Sequence, residues 1–297
     1  MDAYRPLRGA RREILQVRGL GMHLQRWGEA GGSAAPPILM LHGWLDCGDS
    51  FQFIVDALRR DLPIVAPDWR GFGRSAWPEH GYWFPDYLAD LDALLDILSP
   101  GEPVALVGHS MGGNIASLYA GLRPARVRCV VNMEGLGMAR TAPSQAPERL
   151  RRWLDQLKEE PQPSSYDSYE QFAAAIRRRH PRICAARAAF VAAAWGRVDA
   201  DGQVRTVYDA RHRYVNPILY RREEAEACWR EITAPTLLLL GGESARGAKL
   251  DVAAAAAAFL AAVAHAEAAY IAGAGHLLHL ERPEAAAAAV EAFLAAH

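Results

Sequence analysis

The sequence predicts an α/β protein with one large, mostly parallel sheet of eight strands, flanked by helices and carrying an inserted helical cap. Two observations lead to this prediction. Short, continuous apolar runs such as PILMLHG, VALVG and TLLLLGG are typical of parallel strands that are buried on both faces. Helical patterns alternate with these runs over roughly 200 residues, which is the arrangement of a doubly wound sheet.

The strands and helices are expected in the following order along the chain. The first two strands alternate more strongly and are joined by RGLG, which predicts an antiparallel hairpin at one edge. The predicted strands are Glu13–Val17, Met22–Trp27, Ile38–Leu41, Ile64–Ala66, Val104–Val107, Val127–Met133, Thr236–Leu240 and Ala268–Ile271. The predicted helices cover residues 50–60, 84–98, 111–122, 250–264 and 283–296.

One segment interrupts this alternation. Between residues 139 and 232 the sequence has helical stretches, such as ERLRRWLDQLKEE and CAARAAFVAAAW, and no clear buried strand. The segment opens with RTAPSQAP and closes at ITAP, where the strand pattern resumes. We therefore expect a first core segment at residues 1–138, a helical cap at 139–232 and a second core segment at 233–297.

The composition excludes several classes of protein. Thirty-three Lys and Arg against 34 Asp and Glu leave a net charge of −1, which gives no pull toward nucleic acid or an anionic membrane. Four separated cysteines (Cys47, Cys129, Cys184 and Cys228) form no C-x-x-C pair, so neither a zinc site nor a disulfide framework is expected. We find no signal-peptide pattern and no apolar run near the ~18 residues of a membrane span. The expectation is a cytoplasmic protein with a small-molecule substrate, no cofactor or metal, and no indication of an oligomer.

The stretch GHSMG at residues 108–112 fits the pattern G-x-S-x-G, directly after one predicted strand and before a predicted helix. A serine at such a junction sits on a sharp, strained turn that only small flanking residues permit. The following helix N-terminus adds free amides and a positive dipole end. This context predicts that Ser110 is a nucleophile, and that His109 beside it is structural.

Four motifs together carry a resemblance to a known family. They are LMLHGW at residues 39–44, PDWRGFGRS at 67–75, LVGHSMGG at 106–113 and GAGHLLHLERPE at 273–284. In this order and spacing they resemble the α/β-hydrolase superfamily over nearly the whole core. His42, within the first motif, is expected to hydrogen-bond the loop backbone rather than act as a second base.

The resemblance implies roles for four of these residues. His276 would be the base that accepts the proton of Ser110 and returns it to the leaving group. His279, three residues further along, is its nearest competitor and is expected to face away. The backbone N–H groups of Trp44 and Met111 would form an oxyanion hole.

The acid that orients the base departs from the commonest family pattern. In many members it is an Asp three residues after the glycine that ends the seventh strand. Counted from Gly241, that position holds Ser244, which cannot supply a charge. Glu243 lies one residue early. Glu134 follows the sixth strand, and the resemblance implies that the loop there lies beside the loop after the seventh strand, since some members carry their acid after the sixth. We expect Glu134 to be the acid and keep Glu243 as the alternative.

These residues suit acyl transfer to water. A serine nucleophile argues against the alkyl-enzyme esters that haloalkane dehalogenases and epoxide hydrolases form on a carboxylate. The predicted function is a serine carboxylesterase for small apolar or aromatic acyl esters, with a pocket lined by Trp44, Tyr82, Trp83 and Tyr214. Two alternatives stay open: a carbon–carbon bond hydrolase or cofactor-free haloperoxidase-like enzyme, and a ligand-binding receptor or regulatory protein on the same fold.

Overall fold

The computed structural model describes residues 4–28, 36–244 and 250–297. Its strands are β1 (Arg11–Val17), β2 (Leu20–Trp27), β3 (Ile38–Leu41), β4 (Ile64–Pro67), β5 (Val104–His109), β6 (Val127–Met133), β7 (Ser165–Tyr166), β8 (Gly196–Val198), β9 (Val204–Thr206), β10 (Thr236–Gly241) and β11 (Ala266–Ile271). Its α-helices are α1 (Gln52–Ala57), α2 (Pro85–Leu98), α3 (Met111–Leu122), α4 (Ala146–Gln156), α5 (Tyr169–Arg179), α6 (Ala185–Trp195), α7 (Arg222–Arg230), α8 (Val252–Ala262), α9 (Leu278–Glu281) and α10 (Pro283–Ala296).

Eight of these strands form one sheet in the order β1-β2-β4-β3-β5-β6-β10-β11. β1 pairs with β2, and β2 with β4, in antiparallel fashion; the other neighbours run parallel. The predicted fold class is therefore confirmed, including the antiparallel hairpin at one edge.

Apolar side chains on both faces of the sheet explain why its central strands are continuously hydrophobic. Along β3, Leu39 and Leu41 pack on one face against α2, α3 and α8, whereas Ile38 and Met40 pack on the other against α1 and α10. Successive side chains of a strand point to opposite faces, so both sets are removed from water. The sheet thus holds the carboxyl ends of its parallel strands rigidly at one edge.

The chain between β6 and β10 contains α4 to α7 and a second, three-stranded antiparallel sheet of order β7-β9-β8. The expectation of helices alone in this segment was therefore incomplete, because strands of two or three residues leave no readable period in the sequence. α7, at the end of the segment, packs on the core, with the Trp229 ring 5.0 Å from that of Phe259. In the part of the chain that is described, no helix has both the length and the apolar character needed to cross a bilayer.

Candidate active site

Ser110 lies on the turn between β5 and α3. Its backbone angles, φ 51° and ψ −111°, fall in a region that side-chain-bearing residues rarely adopt. The packing around the turn explains both flanking glycines. A Cβ on Gly108 would lie 2.3 Å from the carbonyl oxygen of Gly112, and one on Gly112 would lie 2.0 Å from that of Leu41. The G-x-S-x-G pattern is thus imposed by close backbone contacts that present the serine hydroxyl at the sheet edge.

His276 lies in the loop between β11 and α9 and faces the serine. Its Nε2 is 3.1 Å from Oγ of Ser110, and its side chain is about half exposed. The loop is held from two sides. The buried carboxylate of Glu281 accepts the N–H of Gly275 at 2.5 Å, and Nε2–H of His109 donates to the carbonyl oxygen of His276 at 2.8 Å. The imidazole is therefore fixed at hydrogen-bonding distance from the hydroxyl.

Glu134 is the carboxylate that reaches the other side of this imidazole. It follows β6 directly, with φ 61°, and its Oε2 lies 3.4 Å from Nδ1 of His276. Only 2% of its side chain is exposed. Oε1 accepts the N–H of Gly241 at 2.7 Å, and Oε2 accepts the hydroxyl of Ser244 at 2.8 Å. Ser244, at the position where many family members carry the acid, thus holds the carboxylate that comes from the neighbouring strand.

Glu243, the alternative acid, is placed differently. More than half of its side chain is exposed, and its carboxylate lies 4.0 Å from a guanidinium nitrogen of Arg182. Among the described residues, the ring nitrogens of His276 bond Glu134 and Ser110 and do not bond Glu243. Of the two candidate carboxylates, the fold therefore places that of Glu134, and not that of Glu243, beside the imidazole of His276.

The loop after β3 runs against the nucleophile. A Cβ on Gly43 would lie 3.3 Å from Cβ of Ser110, so the backbone that leads into Trp44 passes directly beside the serine. Met111 is the first residue of α3, where backbone N–H groups have no partner within the helix. Within the described ranges, neither the Trp44 amide nor the Met111 amide donates a hydrogen bond. Both amides are thus free to bind an oxygen of a ligand.

His42 braces this loop. Its Nε2 accepts the N–H of Trp69 at 2.9 Å, so the proton is on Nδ1, which donates to the carbonyl oxygen of Gly43 at 2.7 Å. Complete burial lowers the pKa of His42, and the neutral ring keeps this pair of bonds. The ring holds the loop backbone and does not contact the serine hydroxyl.

His279 faces away from the serine hydroxyl, toward the Asp46 carboxylate, which no sequence motif marks. Its Nε2 lies 3.6 Å from Oδ2 of Asp46, and its ring centroid is 4.2 Å from that of His109. Asp46 also accepts Nε1–H of Trp195 at 2.7 Å, which joins the end of α6 to the loop after β3. Nothing in the sequence signals this contact, because the two residues are 149 positions apart.

The four expected pocket residues differ in their surroundings. Trp44 and Trp83 are exposed, at 52% and 59%. Tyr82 instead stacks on the ring of His212 and donates its hydroxyl to Asp209 at 2.7 Å. The hydroxyl of Tyr214 donates to the carbonyl oxygen of Glu159. Both tyrosines thus make contacts between loops, and their place in a substrate pocket stays a prediction.

The fold and this constellation of residues define the protein class. Residues 36–283 match the family model of the alpha/beta hydrolase fold, which covers more than half of the chain. The chain therefore belongs to the alpha/beta hydrolase family, and the resemblance carried by its four motifs is confirmed.

Individual relatives agree with this assignment. The chain is 34% identical over 140 residues to a serine hydrolase-like protein of Danio rerio, and 36% identical over 116 residues to lipase LipV of Mycobacterium tuberculosis. The first alignment covers 44% of this chain and 43% of the relative, and the second covers 39% and 42%. The chain therefore spans less than half the length of either relative. The thioesterase domain from the curacin biosynthetic pathway superposes with a TM-score of 0.84, at 26% identity, over 97% of this chain and 100% of that domain. The protein is thus an alpha/beta hydrolase that is similar to a protein named as serine hydrolase-like and to one named as a lipase.

Proposed function

We propose that this protein is a serine carboxylesterase that hydrolyses esters of small apolar or aromatic acyl groups through an acyl-enzyme on Ser110. One observation carries the proposal: the continuous contact from Oγ of Ser110 to Nε2 of His276 at 3.1 Å, and from Nδ1 to Glu134 at 3.4 Å. Nucleophile, base and orienting carboxylate within this reach are the recurring parts of acyl transfer by serine.

The first half of the reaction acylates the serine. As Oγ of Ser110 attacks the ester carbonyl carbon, its proton passes to Nε2 of His276. The carbonyl oxygen becomes an oxyanion, which accepts hydrogen bonds from the free amides of Trp44 and Met111. When the carbon–oxygen bond to the alcohol breaks, the alcohol takes the proton from Nε2 and leaves.

The second half releases the acid. Water gives a proton to Nε2 of His276 and attacks the acyl carbon, and the returning proton restores the hydroxyl of Ser110. In both halves the carboxylate of Glu134 holds Nδ1–H, which fixes the productive tautomer and stabilises the transient imidazolium.

We also infer that residues 139–232 act as a cap that shapes the acyl site. The end of α6 supports this role, because Trp195 bonds Asp46 just beyond the loop that carries Trp44. The exposed indoles of Trp44 and Trp83 offer apolar surface to a substrate. This supports small apolar or aromatic acyl groups over charged ones.

Thioester hydrolysis is a second candidate. It is favoured by the likeness to a thioesterase domain over nearly the full length of both chains. The same residues would serve, since a thioester presents the same carbonyl carbon with a thiol in place of the alcohol. Parallel assays with an ester and a thioester of the same acyl group separate the two candidates by the ratio of their kcat/KM values.

Hydrolysis of p-nitrophenyl acetate and butyrate, together with fluorophosphonate labelling, tests the proposal. We expect Ser110→Ala to lower turnover by more than about 10³-fold and to abolish labelling. Ser144→Ala is the matched control, since Ser144 is exposed in the inserted segment and should keep full activity. If wild-type protein neither hydrolyses these esters nor becomes labelled, a ligand-binding role on the same fold would replace the proposal. Labelling with turnover of a carbon–carbon substrate in place of esters would favour the carbon–carbon hydrolase.

A further inference from the structure

A second cluster of side chains lies behind the proposed catalytic residues. Asp46 follows the loop that carries Trp44, His109 precedes Ser110, and His279 is on α9, just after His276. Asp46, His109 and His279 are 6%, 1% and 0% exposed. One nitrogen of each ring and one carboxylate oxygen of Asp46 all lie within 4.8 Å of one another. Three segments that are distant in sequence thus bring two imidazoles and a carboxylate together in the interior.

The two imidazoles have unused nitrogens. Within the described ranges, Nδ1 of His109 and both ring nitrogens of His279 are buried and have no hydrogen-bond partner. Nearly all buried polar groups in native proteins are paired, so Nδ1 of His109 and Nδ1 of His279 leave room for a partner that is not a protein atom, whereas Nε2 of His279 faces the Asp46 carboxylate at 3.6 Å. Because Nε2–H of His109 donates to the carbonyl oxygen of His276, Nδ1 of the same ring carries a lone pair that can bind a cation.

Hydrogen bonds from the surroundings fix the His109 ring and the Asp46 carboxylate, as they commonly do for residues that bind a metal. His109 donates Nε2–H to a backbone carbonyl oxygen at 2.8 Å, the contact that commonly fixes a metal-ligating histidine. Asp46 accepts the N–H of Cys47 and Nε1–H of Trp195, each at 2.7 Å, and the hydroxyl of Ser50 at 2.9 Å. Its Oδ2 remains directed to Nε2 of His279 at 3.6 Å.

We propose that Asp46, His109 and His279 form a binding site for a divalent transition-metal ion of the Zn²⁺ type. Two imidazoles and one carboxylate suit Zn²⁺, Co²⁺ or Ni²⁺, whereas Mg²⁺ and Ca²⁺ prefer oxygen ligands. Neighbouring ligand atoms in tetrahedral zinc sites lie about 3.3 Å apart, close to the 3.6 Å between His279 and Asp46. Since the three ligand atoms lie within 4.8 Å of one another, the widest distance between two of them has to shorten by at most roughly 1.5 Å when the ion binds.

This closure links the site to the proposed catalytic residues. His109 holds the carbonyl oxygen of His276, so a shift of His109 toward a bound ion moves the loop that carries the base. Loading with metal is therefore expected to change the rate at which Ser110 reacts. That consequence rests on the proposed function, whereas metal binding itself does not.

Titration of the metal-free, full-length protein tests the site. We expect one equivalent of Zn²⁺ by calorimetry and one equivalent of Co²⁺ by its absorption bands. His279→Gln and Asp46→Asn should each weaken binding by at least about 100-fold. His276→Gln is the matched control and should bind Zn²⁺ as wild type does, because its imidazole belongs to the neighbouring cluster. X-ray absorption of the Zn²⁺-loaded wild type should show two imidazoles and one carboxylate, and needs no variant to fold.

Two results would overturn the proposal. One is the lack of saturable Zn²⁺ binding by the wild type at millimolar metal. The other is binding that survives His279→Gln but is lost in His276→Gln, with a single imidazole in the X-ray absorption spectrum, since the ion would then sit on His276 and Glu134. Fluorophosphonate labelling with and without Zn²⁺ separates metal binding from the proposed function. If the metal-free protein is not labelled, the proposed function is contradicted and the metal site is not.

Discussion

The position of the acid can be tested by removing the charge of Glu134 and then supplying it from Ser244. Glu134→Gln keeps the shape of the side chain but replaces a carboxylate oxygen with an amide group facing Nδ1 of His276. At the observed 3.4 Å, two unit charges at an effective dielectric constant near 20 attract by about 5 kcal/mol. A hydrogen bond to a charged group contributes about 1.5–3 kcal/mol. Because His276 is about half exposed, solvent screens the larger figure, and we expect a loss of about 2–4 kcal/mol.

This loss corresponds to a decrease in kcat of about 30- to 1000-fold, since 1.36 kcal/mol is a factor of ten. KM should change little, because the carboxylate acts on the imidazolium that forms in the transition state. Steady-state hydrolysis of p-nitrophenyl butyrate measures both constants. Circular dichroism of each variant checks that the fold is retained.

The rescue is the sharper part of the experiment. Ser244 already lies 2.8 Å from the carboxylate oxygen that faces His276, so Asp at this position can bring a charge to the same ring nitrogen. Glu134→Gln combined with Ser244→Asp should regain at least tenfold in kcat over Glu134→Gln alone. Ser244→Asp in the wild-type background should not raise activity, because two adjacent carboxylates disfavour each other's ionised forms. The reasoning fails if Glu134→Gln stays within threefold of wild type while Glu243→Gln loses activity.

Three further predictions concern residues that support the site or the fold. Ser244→Ala removes one hydrogen bond to the Glu134 carboxylate and should lower kcat about 10-fold at unchanged KM in the same ester assay. Gly112→Ala would place its Cβ 2.0 Å from a backbone oxygen, so Tm and kcat should both fall, whereas Gly101→Ala, with open space around it, should change neither. Burial between Phe72 and Tyr82 lowers the pKa of His212 to about 3, so the unfolded chain binds a proton below about pH 6.5 while the folded one does not. The free energy of unfolding therefore decreases as the pH falls. In urea unfolding, His212→Phe should reduce the decrease between pH 7 and pH 5 by about 2 kcal/mol. An unchanged decrease would contradict this environment of His212.

The sequence allowed the main sheet to be predicted because its strands are buried on both faces. The apolar runs around Leu39 and Leu106 are bounded by turns and are too short for a typical helix. They are therefore best interpreted as buried strands. The short strands β7 to β9 escaped prediction because their pairing is set by neighbours distant in the chain. The stacking of Tyr82 on His212 likewise has no local signal in the sequence.

The residues of the candidate site also fall into two groups, those that a sequence motif marks and those whose contacts depend on the tertiary fold. Ser110 is marked by the flanking glycines that close backbone contacts require, and His276 is identified through the resemblance of its motif to the family. Asp46 and its contact with Trp195 depend on how the inserted segment meets the core, and no local pattern encodes that meeting. The sequence favours Glu134 but keeps Glu243 as the alternative, since both follow strands that end at the same edge of the sheet, and the contacts of His276 are what separate the two carboxylates.

The sheet itself explains how the carboxylate can come from either strand. β6 and β10 are parallel neighbours, with Met133 paired to Leu239, so the residues that follow them emerge side by side. The N–H of Glu134 donates to the carbonyl oxygen of Leu239, and its carboxylate accepts the N–H of Gly241, which anchors both ends of Glu134 on the adjacent strand. A carboxylate after β6 therefore reaches the space that an aspartate at position 244 would fill, and the serine left there donates to it. With Glu134 as the proposed acid, placing the carboxylate on β6 in place of β10 requires no change of fold, only a left-handed residue at the end of β6 and a hydrogen-bond donor at the end of β10.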